Sequence, residues 1–166
     1  GGAGHAMRLL ATYPWMSVFG IDQDPMAIDH ARKVSPRFDG RLMFHQGRFD
    51  GITEFLQMHN VPKISGALFD LGVSSPQFDE ADRGFSYRND GQLDMRMDTT
   101  QEFSALDVVN VYEVQQLADV LRDHADERFA FRIAKAIVAA RPVMTTSALA
   151  EIAASAIPAP ARRTGG

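Results

Sequence analysis

The stretch SVFGIDQDPMAIDHARKV (residues 17–34) decides the fold, because an apolar run of strand length passes directly into a segment of helix length. Its first part, Ser17–Asp22, predicts a short buried strand. Asp24 is a candidate N-cap for the helix that follows, and Pro25 suits the first helical turn. A strand followed by a helix is the first half of a βαβ unit, which is typical of a parallel α/β sheet.

The same alternation continues to about residue 98 and then stops. Arg41–Gly47 predicts a second strand, residues 49–59 a second helix, and Ser65–Leu71 a third strand. From Ser104 onward the apolar residues recur at helical spacing only. We therefore predict an α/β core over residues 1–103 and a helical domain over residues 104–166.

Composition narrows the class of protein. Hydrophobic residues make up 45% of the 166, enough for a folded core. Cysteine is absent, which excludes disulfides and thiolate metal sites and fits a cytoplasmic protein. The formal net charge of −4 argues against a protein that coats nucleic acid by electrostatics alone. We expect no membrane span, no secretory signal and, since the histidines lack ligand spacing, no metal site.

Both ends of the chain indicate a fragment. The sequence begins inside a glycine-rich turn, GGAGH, and stops just after the basic ARRTGG. Natural domains rarely begin on a loop with functional character, so we expect the chain to be a fragment.

Three candidate ligand loops fall at the carboxyl edge of the predicted sheet, where ligands bind in parallel α/β folds. Glycines such as Gly4 let the backbone approach a ligand closely, although glycine-rich termini are also often tags. Asp22 ends the first strand 18 positions after Gly4 (22 − 4). A carboxylate at that spacing suits the vicinal hydroxyls of a ribose. The alternative is a helix cap, a role that Asp24 fills better.

The third strand also ends on a carboxylate, Asp70, followed by small polar residues including Ser74, Ser75 and Gln77. Asp70 either contacts a ligand or holds the amides of a serine-proline turn, and composition favours neither. Phe49 lies against an adenine face or belongs to the core. These loops suit an adenosine-bearing ligand. They do not separate S-adenosylmethionine from a nicotinamide dinucleotide, although G-x-G-x-x-G is absent.

The run DLGVSSPQFDEADRGFSYRNDGQLDMRMD (residues 70–98) resembles the bacterial RsmH (MraW) family of small-subunit ribosomal RNA cytosine-N4 methyltransferases. Later phrases such as ADVLRDHADERFAFRIAKAIV and TTSALAEIAA match in order, so the resemblance covers nearly the whole chain. It implies a Rossmann-like class I methyltransferase sheet with an inserted helical domain. It also implies that the family's first strand precedes Gly1 and that its last strands follow Gly166, so that this sheet is truncated.

The resemblance implies S-adenosylmethionine as cofactor. The implied cofactor contacts are Ala3, Gly4, His5, Asp22, Phe49, Asp70 and Gln77. Ala3 stands where the family usually has glycine. We expect Asp70, or a backbone carbonyl beside it, to accept hydrogen bonds from the cytosine amine. The candidate substrate contacts are Ser74, Ser75, Arg83 and Arg96, with phosphate contacts also expected from Arg88, Arg132, Lys135, Arg162 and Arg163.

The implied function is methyl transfer to the exocyclic N4 amine of a cytosine in 16S ribosomal RNA. The alternatives are a non-catalytic remnant that binds cofactor or RNA, and a nicotinamide-dependent oxidoreductase. Arginines on a solvated surface are the alternative to phosphate contacts, and Arg96 has a local alternative, pairing with Asp94 or Asp98. The sequence leaves open which cytosine is modified, whether the substrate is free RNA or assembled subunit, and whether the protein forms a homodimer.

Overall fold

A computed structural model describes residues 2–158, which divide into two compact units. Unit 1 comprises the chain up to Ser74 together with Met97–Thr100. Unit 2 comprises Ser75–Arg96 and the chain from Gln101 onward. The segment Ser75–Arg96 thus clusters with the helices, and the predicted division between residues 103 and 104 stays a prediction. The predictions for Arg162 and Arg163 lie outside the described residues.

Unit 1 is an α/β structure with a small parallel sheet, which confirms the predicted class. Its strands are β1 (Val18–Asp22) and β2 (Leu42–Gln46), paired in register from Val18 opposite Leu42 to Asp22 opposite Gln46. Its helices are α1 (Gly4–Thr12), α2 (Pro25–Val34) and α3 (Ile52–Met58). Short 3₁₀ turns at Ser35–Phe38 and Phe49–Gly51 complete the connections.

The beginning of α2 follows from its sequence. The Oδ1 atom of Asp24 accepts a hydrogen bond from the Met26 amide at 2.9 Å, which confirms Asp24 as the N-cap. Pro25 occupies the first turn, where its missing N–H costs nothing. One face of the helix is buried in unit 1 through Ile28, Ala31 and Val34.

The core of unit 1 lies on the sheet. Leu10, Val34 and Leu42 form one buried cluster. On α3, Phe55 is 1% exposed and stacks on His45 with ring centroids 5.1 Å apart. Met58, at the end of the same helix, is 63% exposed.

The predicted third strand, Ser65–Leu71, is wrong in this structure. The described residues contain one sheet of two strands, and Ser65–Leu71 is not in it. Leu68, Phe69 and Leu71 are 66%, 62% and 71% exposed. A segment becomes a strand only when a neighbour takes its hydrogen bonds, and no such neighbour exists among residues 2–158.

Unit 2 is helical. Its helices are α4 (Ser75–Asp79), α5 (Ala105–Val111), α6 (Val114–Ala125), α7 (Ala130–Ala139) and α8 (Thr146–Ala156). The apolar stripes predicted from the sequence form much of its core: Leu117 and Ala118 of α6, with Ile133 and Ile137 of α7, are at most 3% exposed. The Oγ1 atom of Thr145 accepts a hydrogen bond from the Ala148 amide, so Thr145 is the N-cap of α8.

The loop over residues 84–95 is held by backbone contacts at two glycines. Gly84 has a φ of +71°, and a Cβ added there would lie 2.5 Å from the Gln92 carbonyl oxygen. A Cβ on Gly91 would lie 1.9 Å from the Ala81 carbonyl oxygen. Gly91 also exchanges hydrogen bonds with Thr146, whose amide donates to its carbonyl at 3.0 Å. Only glycine allows this approach at either position.

Within residues 2–158, none of the helices combines the length and the apolar character needed to cross a membrane. The same residues contain no cluster of three or more His, Asp or Glu side chains able to hold a metal ion.

Candidate functional site

The turn before α1 has the backbone shape that the glycine-rich sequence suggested. Ala3 adopts the left-handed conformation, with φ 58° and ψ 12°, and is the N-cap of the helix. No side chain caps the first turn, so N–H groups there are open to a ligand. A Cβ added to Gly4 would meet nothing within 4 Å.

Asp22 lies at the carboxyl end of β1, as the sequence predicted. Its Oδ1 atom accepts a hydrogen bond from the Asp24 amide at 3.0 Å, and its backbone carbonyl accepts one from the Gly47 amide at 3.0 Å. The side chain is partly buried. Because Asp24 caps α2, Asp22 is not the N-cap of that helix.

Phe49 lies just beyond β2 on the surface of unit 1. Its ring is edge-on to that of Phe69, with centroids 6.0 Å apart and an interplanar angle of 81°. The residues are 56% and 62% exposed. The core alternative for Phe49 therefore does not describe its position. The sequence reasoning did not single out Phe69, although its place directly before Asp70 was a signal.

Asp70 is joined to the turn before α1 by His5. The Nδ1 atom of His5 lies 3.0 Å from Oδ2 of Asp70, and the two side chains are 64% and 60% exposed. Asp70 holds no loop amide among the described residues, so the turn alternative is not what the structure contains.

Through-space contacts and short chain segments together link these residues within unit 1. Asp22 is paired in register with Gln46, three positions before Phe49. Phe49 contacts Phe69, the neighbour of Asp70, and Asp70 contacts His5. The carboxyl edge of the sheet and the beginning of α1 are thereby linked. An adenosine-bearing ligand would find here two carboxylates, an exposed aromatic ring and an open helix N-terminus.

The remaining predicted site residues are distributed between the units. Ser74 is the last residue of the first segment of unit 1, and Ser75 begins α4 in unit 2. Gln77 of α4 is 5% exposed and Arg83 is 7% exposed, so both are buried in unit 2.

The two predicted substrate arginines have local partners. Arg96 forms a bidentate pair with Asp94, with its Nε and Nη2 atoms 2.9 and 2.6 Å from the carboxylate oxygens. This bond is the main cause that lowers the pKa of Asp94 below its ordinary value of 3.8. Arg83 donates from Nη2 to the Arg96 carbonyl at 3.1 Å. The Asp94 pair is the local alternative predicted for Arg96, and a substrate role for either arginine stays a prediction.

The family model and the relatives that this chain matches point to the same family. The model of the MraW methylase family matches residues 1–166. A protein of Mycobacterium sp. (strain KMS) named ribosomal RNA small subunit methyltransferase H is 48% identical over 166 residues, covering 100% of this chain and 45% of its own length. A protein of the same name from Thermobifida fusca (strain YX) is 46% identical, covering 98% of this chain and 50% of its own length.

The chain spans about half the length of the curated relatives it matches. The family match nevertheless extends over all of it, including every residue of the series from His5 to Asp70. The chain belongs to the MraW methylase family.

Proposed function

We propose that the chain serves S-adenosylmethionine-dependent methyl transfer to the N4 amine of a cytosine in small-subunit ribosomal RNA. The observation that carries this proposal is the contact series of unit 1, which connects cofactor positions implied by the family resemblance. The relatives' printed name, ribosomal RNA small subunit methyltransferase H, supports the substrate class. A cytoplasmic location, and an inserted helical domain built from unit 2, belong to the same proposal.

The residues of unit 1 fit such a cofactor. The uncapped first turn of α1 offers N–H donors to a carboxylate, and the carboxylate of Asp22 suits ribose hydroxyls. The exposed ring of Phe49 offers a flat face to an adenine. When bound, the sulfonium group supplies an electrophilic methyl.

Asp70 is the proposed acceptor for the cytosine amine. The lone pair of an exocyclic amine is delocalised into the ring, and an acceptor that bonds its N–H groups localises that pair as positive charge develops. His5 engages Oδ2 of Asp70 and leaves Oδ1 without a partner among the described residues. His5 thereby orients the carboxylate. The amine must also be held in line at about 3 Å from the methyl carbon.

Calorimetry with S-adenosylhomocysteine and with NAD tests the cofactor assignment. Binding of S-adenosylhomocysteine alone is the expected result, and binding of NAD alone would favour the oxidoreductase alternative. Transfer of a labelled methyl group to small subunits or to free 16S RNA tests the activity. A protein that binds S-adenosylhomocysteine without transferring methyl to either substrate would be the non-catalytic remnant.

A further inference from the structure

One face of α7 carries exposed basic and aromatic side chains. Arg128, Phe131, Arg132 and Lys135 are all exposed, and Phe131 is 57% exposed. Phe131, Arg132 and Lys135 belong to α7, and their spacing of three and four positions places them along one side of the helix, while Arg128 lies in the turn just before it. We call these four residues the α7 basic stripe.

The opposite side of the same helix is anchored in the core of unit 2. Ile133 and Ile137 are 3% and 2% exposed, and Ala134 is completely buried. The helix cannot rotate without exposing these side chains, so the stripe keeps a fixed orientation within its unit.

The positive charge of the stripe is not neutralised locally. The helix AFRIAKAIVA contains no acidic residue, and across residues 2–158 no carboxylate forms an ion pair with a stripe cation. The nearby Glu127 is engaged with the backbone, because its Oε1 atom accepts a hydrogen bond from the Phe129 amide at 2.7 Å. Arg128 lies over the Phe129 ring, 4.6 Å from its centroid.

Three other arginines of unit 2 differ from those of the stripe. Arg122 on α6 contacts Asp119 at 2.8 Å and Asp123 at 2.9 Å. Arg96 pairs with Asp94, and Arg141 donates to the backbone carbonyls of Val109 and Tyr112. In a chain of net charge −4, the stripe is therefore a local concentration of unneutralised cations.

An exposed aromatic ring between cations matches a single nucleic acid strand. Arginine and lysine contact phosphates, while an aromatic ring stacks on any unpaired base. An acidic protein surface would use the cations but would gain little from Phe131. We propose that the α7 basic stripe binds a single-stranded RNA segment, with Arg128, Arg132 and Lys135 on phosphates and Phe131 on a base. The choice of RNA over DNA rests on the proposed function.

Fluorescence anisotropy with a labelled single-stranded oligoribonucleotide tests this proposal across a series of salt concentrations. The double variant Arg132→Gln, Lys135→Gln should lower affinity about tenfold and reduce the slope of log affinity against log salt by about 1.4. Phe131→Ala should lower affinity about tenfold, with little change in that slope. Arg122→Gln is the matched control, because it removes an exposed arginine that acidic residues already neutralise.

The outcomes separate this inference from the proposed function. Equal RNA affinities for the stripe variants and the Arg122→Gln control would overturn the inference that the stripe binds RNA. Absence of RNA binding by the unmodified protein would also overturn it. Displacement of RNA by poly-glutamate at equal charge concentration would overturn it in favour of an acidic protein partner. S-adenosylhomocysteine affinity, measured in parallel, should be unchanged. If the protein does not bind S-adenosylhomocysteine but the stripe variants still bind RNA more weakly than the unmodified protein, the proposed function fails and the stripe remains an RNA site.

Discussion

His5 and Asp70 are 65 positions apart in the sequence, yet the His5 Nδ1 and Asp70 Oδ2 atoms are 3.0 Å apart. Both side chains are more than half exposed. A side-chain contact this exposed contributes at most about 1 kcal/mol to the free energy of unfolding. Its importance is therefore geometric: it ties the loop after residue 69 to the beginning of α1 and fixes one oxygen of the carboxylate.

Replacing Asp70 tests its proposed role directly. Asp70→Asn keeps the shape of the side chain but removes the charge that would stabilise the amine during transfer. We expect the rate of methyl transfer in single-turnover measurements to fall about 100-fold. Asp29→Asn is the control, because it disrupts an ion pair of the same 3.0 Å length and similar exposure on α2. Unimpaired transfer by a variant with bound cofactor would show that Asp70 has no such role.

The left-handed conformation of Ala3 predicts a stabilising substitution. A side chain at that φ costs roughly 1–2 kcal/mol, whereas glycine adopts it freely but loses more entropy on folding. We expect Ala3→Gly to raise the free energy of unfolding by about 0.5 kcal/mol, measured with urea. Ala27→Gly, inside α2, should lower it by about 0.5–1 kcal/mol. Destabilisation by both changes to the same extent would contradict the strain at Ala3.

The close backbone contact at Gly91 predicts a large loss of stability. Because a Cβ there would lie 1.9 Å from the Ala81 carbonyl oxygen, Gly91→Ala forces the loop away from Ala81. We expect the free energy of unfolding of unit 2 to fall by about 2 kcal/mol or more. Gly66→Ala provides the comparison, since a Cβ there meets nothing within 4 Å. A Gly91→Ala protein as stable as the Gly66→Ala protein would refute the contact.

The Asp94–Arg96 pair predicts acid sensitivity of unit 2. The hydrogen bond from Arg96 lowers the pKa of Asp94 below 3.8, so the folded state binds the proton less tightly than the unfolded state does. The stabilisation that the ionised Asp94 contributes is complete above the ordinary pKa of 3.8 and is lost as the pH falls through the lowered pKa of the folded state. Thermal unfolding measured from neutral pH to pH about 3 should show a smaller pH dependence for Asp94→Asn.

Asp79→Asn, which changes an exposed carboxylate at the end of α4, serves as the control for that series. It should retain the pH dependence of the unmodified protein. An Asp94→Asn variant that retains it as well would show that the pair does not contribute.

The sequence pattern predicted the helices and strands whose hydrogen bonds, caps and buried faces come from residues close in the sequence. The apolar run before Asp22 and the cap at Asp24 were sufficient to place β1 and α2. The helical spacing around Leu117 and Ile133 was sufficient to place α6 and α7 and their buried sides. In each case the sequence period matches the period of the structure, and neighbouring residues supply the hydrogen bonds.

Features that depend on distant partners were not predictable in the same way. The segment Ser65–Leu71 has the composition of a strand, but strand pairing depends on a neighbour that composition does not reveal. The burial of Arg83 depends on the carbonyl of Arg96, 13 positions away. For the site, the positions of His5 and Asp70 were expected but their contact was not, since no periodicity connects residues so far apart.

The two glycines that hold the loop over residues 84–95 also determine where this part of the protein tolerates sequence drift. Tyr87 and Asn89 between them are exposed, so their side chains are free to diversify. A saturation mutagenesis scan should therefore show two intolerant positions, 84 and 91, around a permissive centre. Natural variants with different exposed side chains between Gly84 and Gly91 would keep the shape of the loop. The backbone packing at the two glycines specifies that shape, and the exposed side chains between them do not.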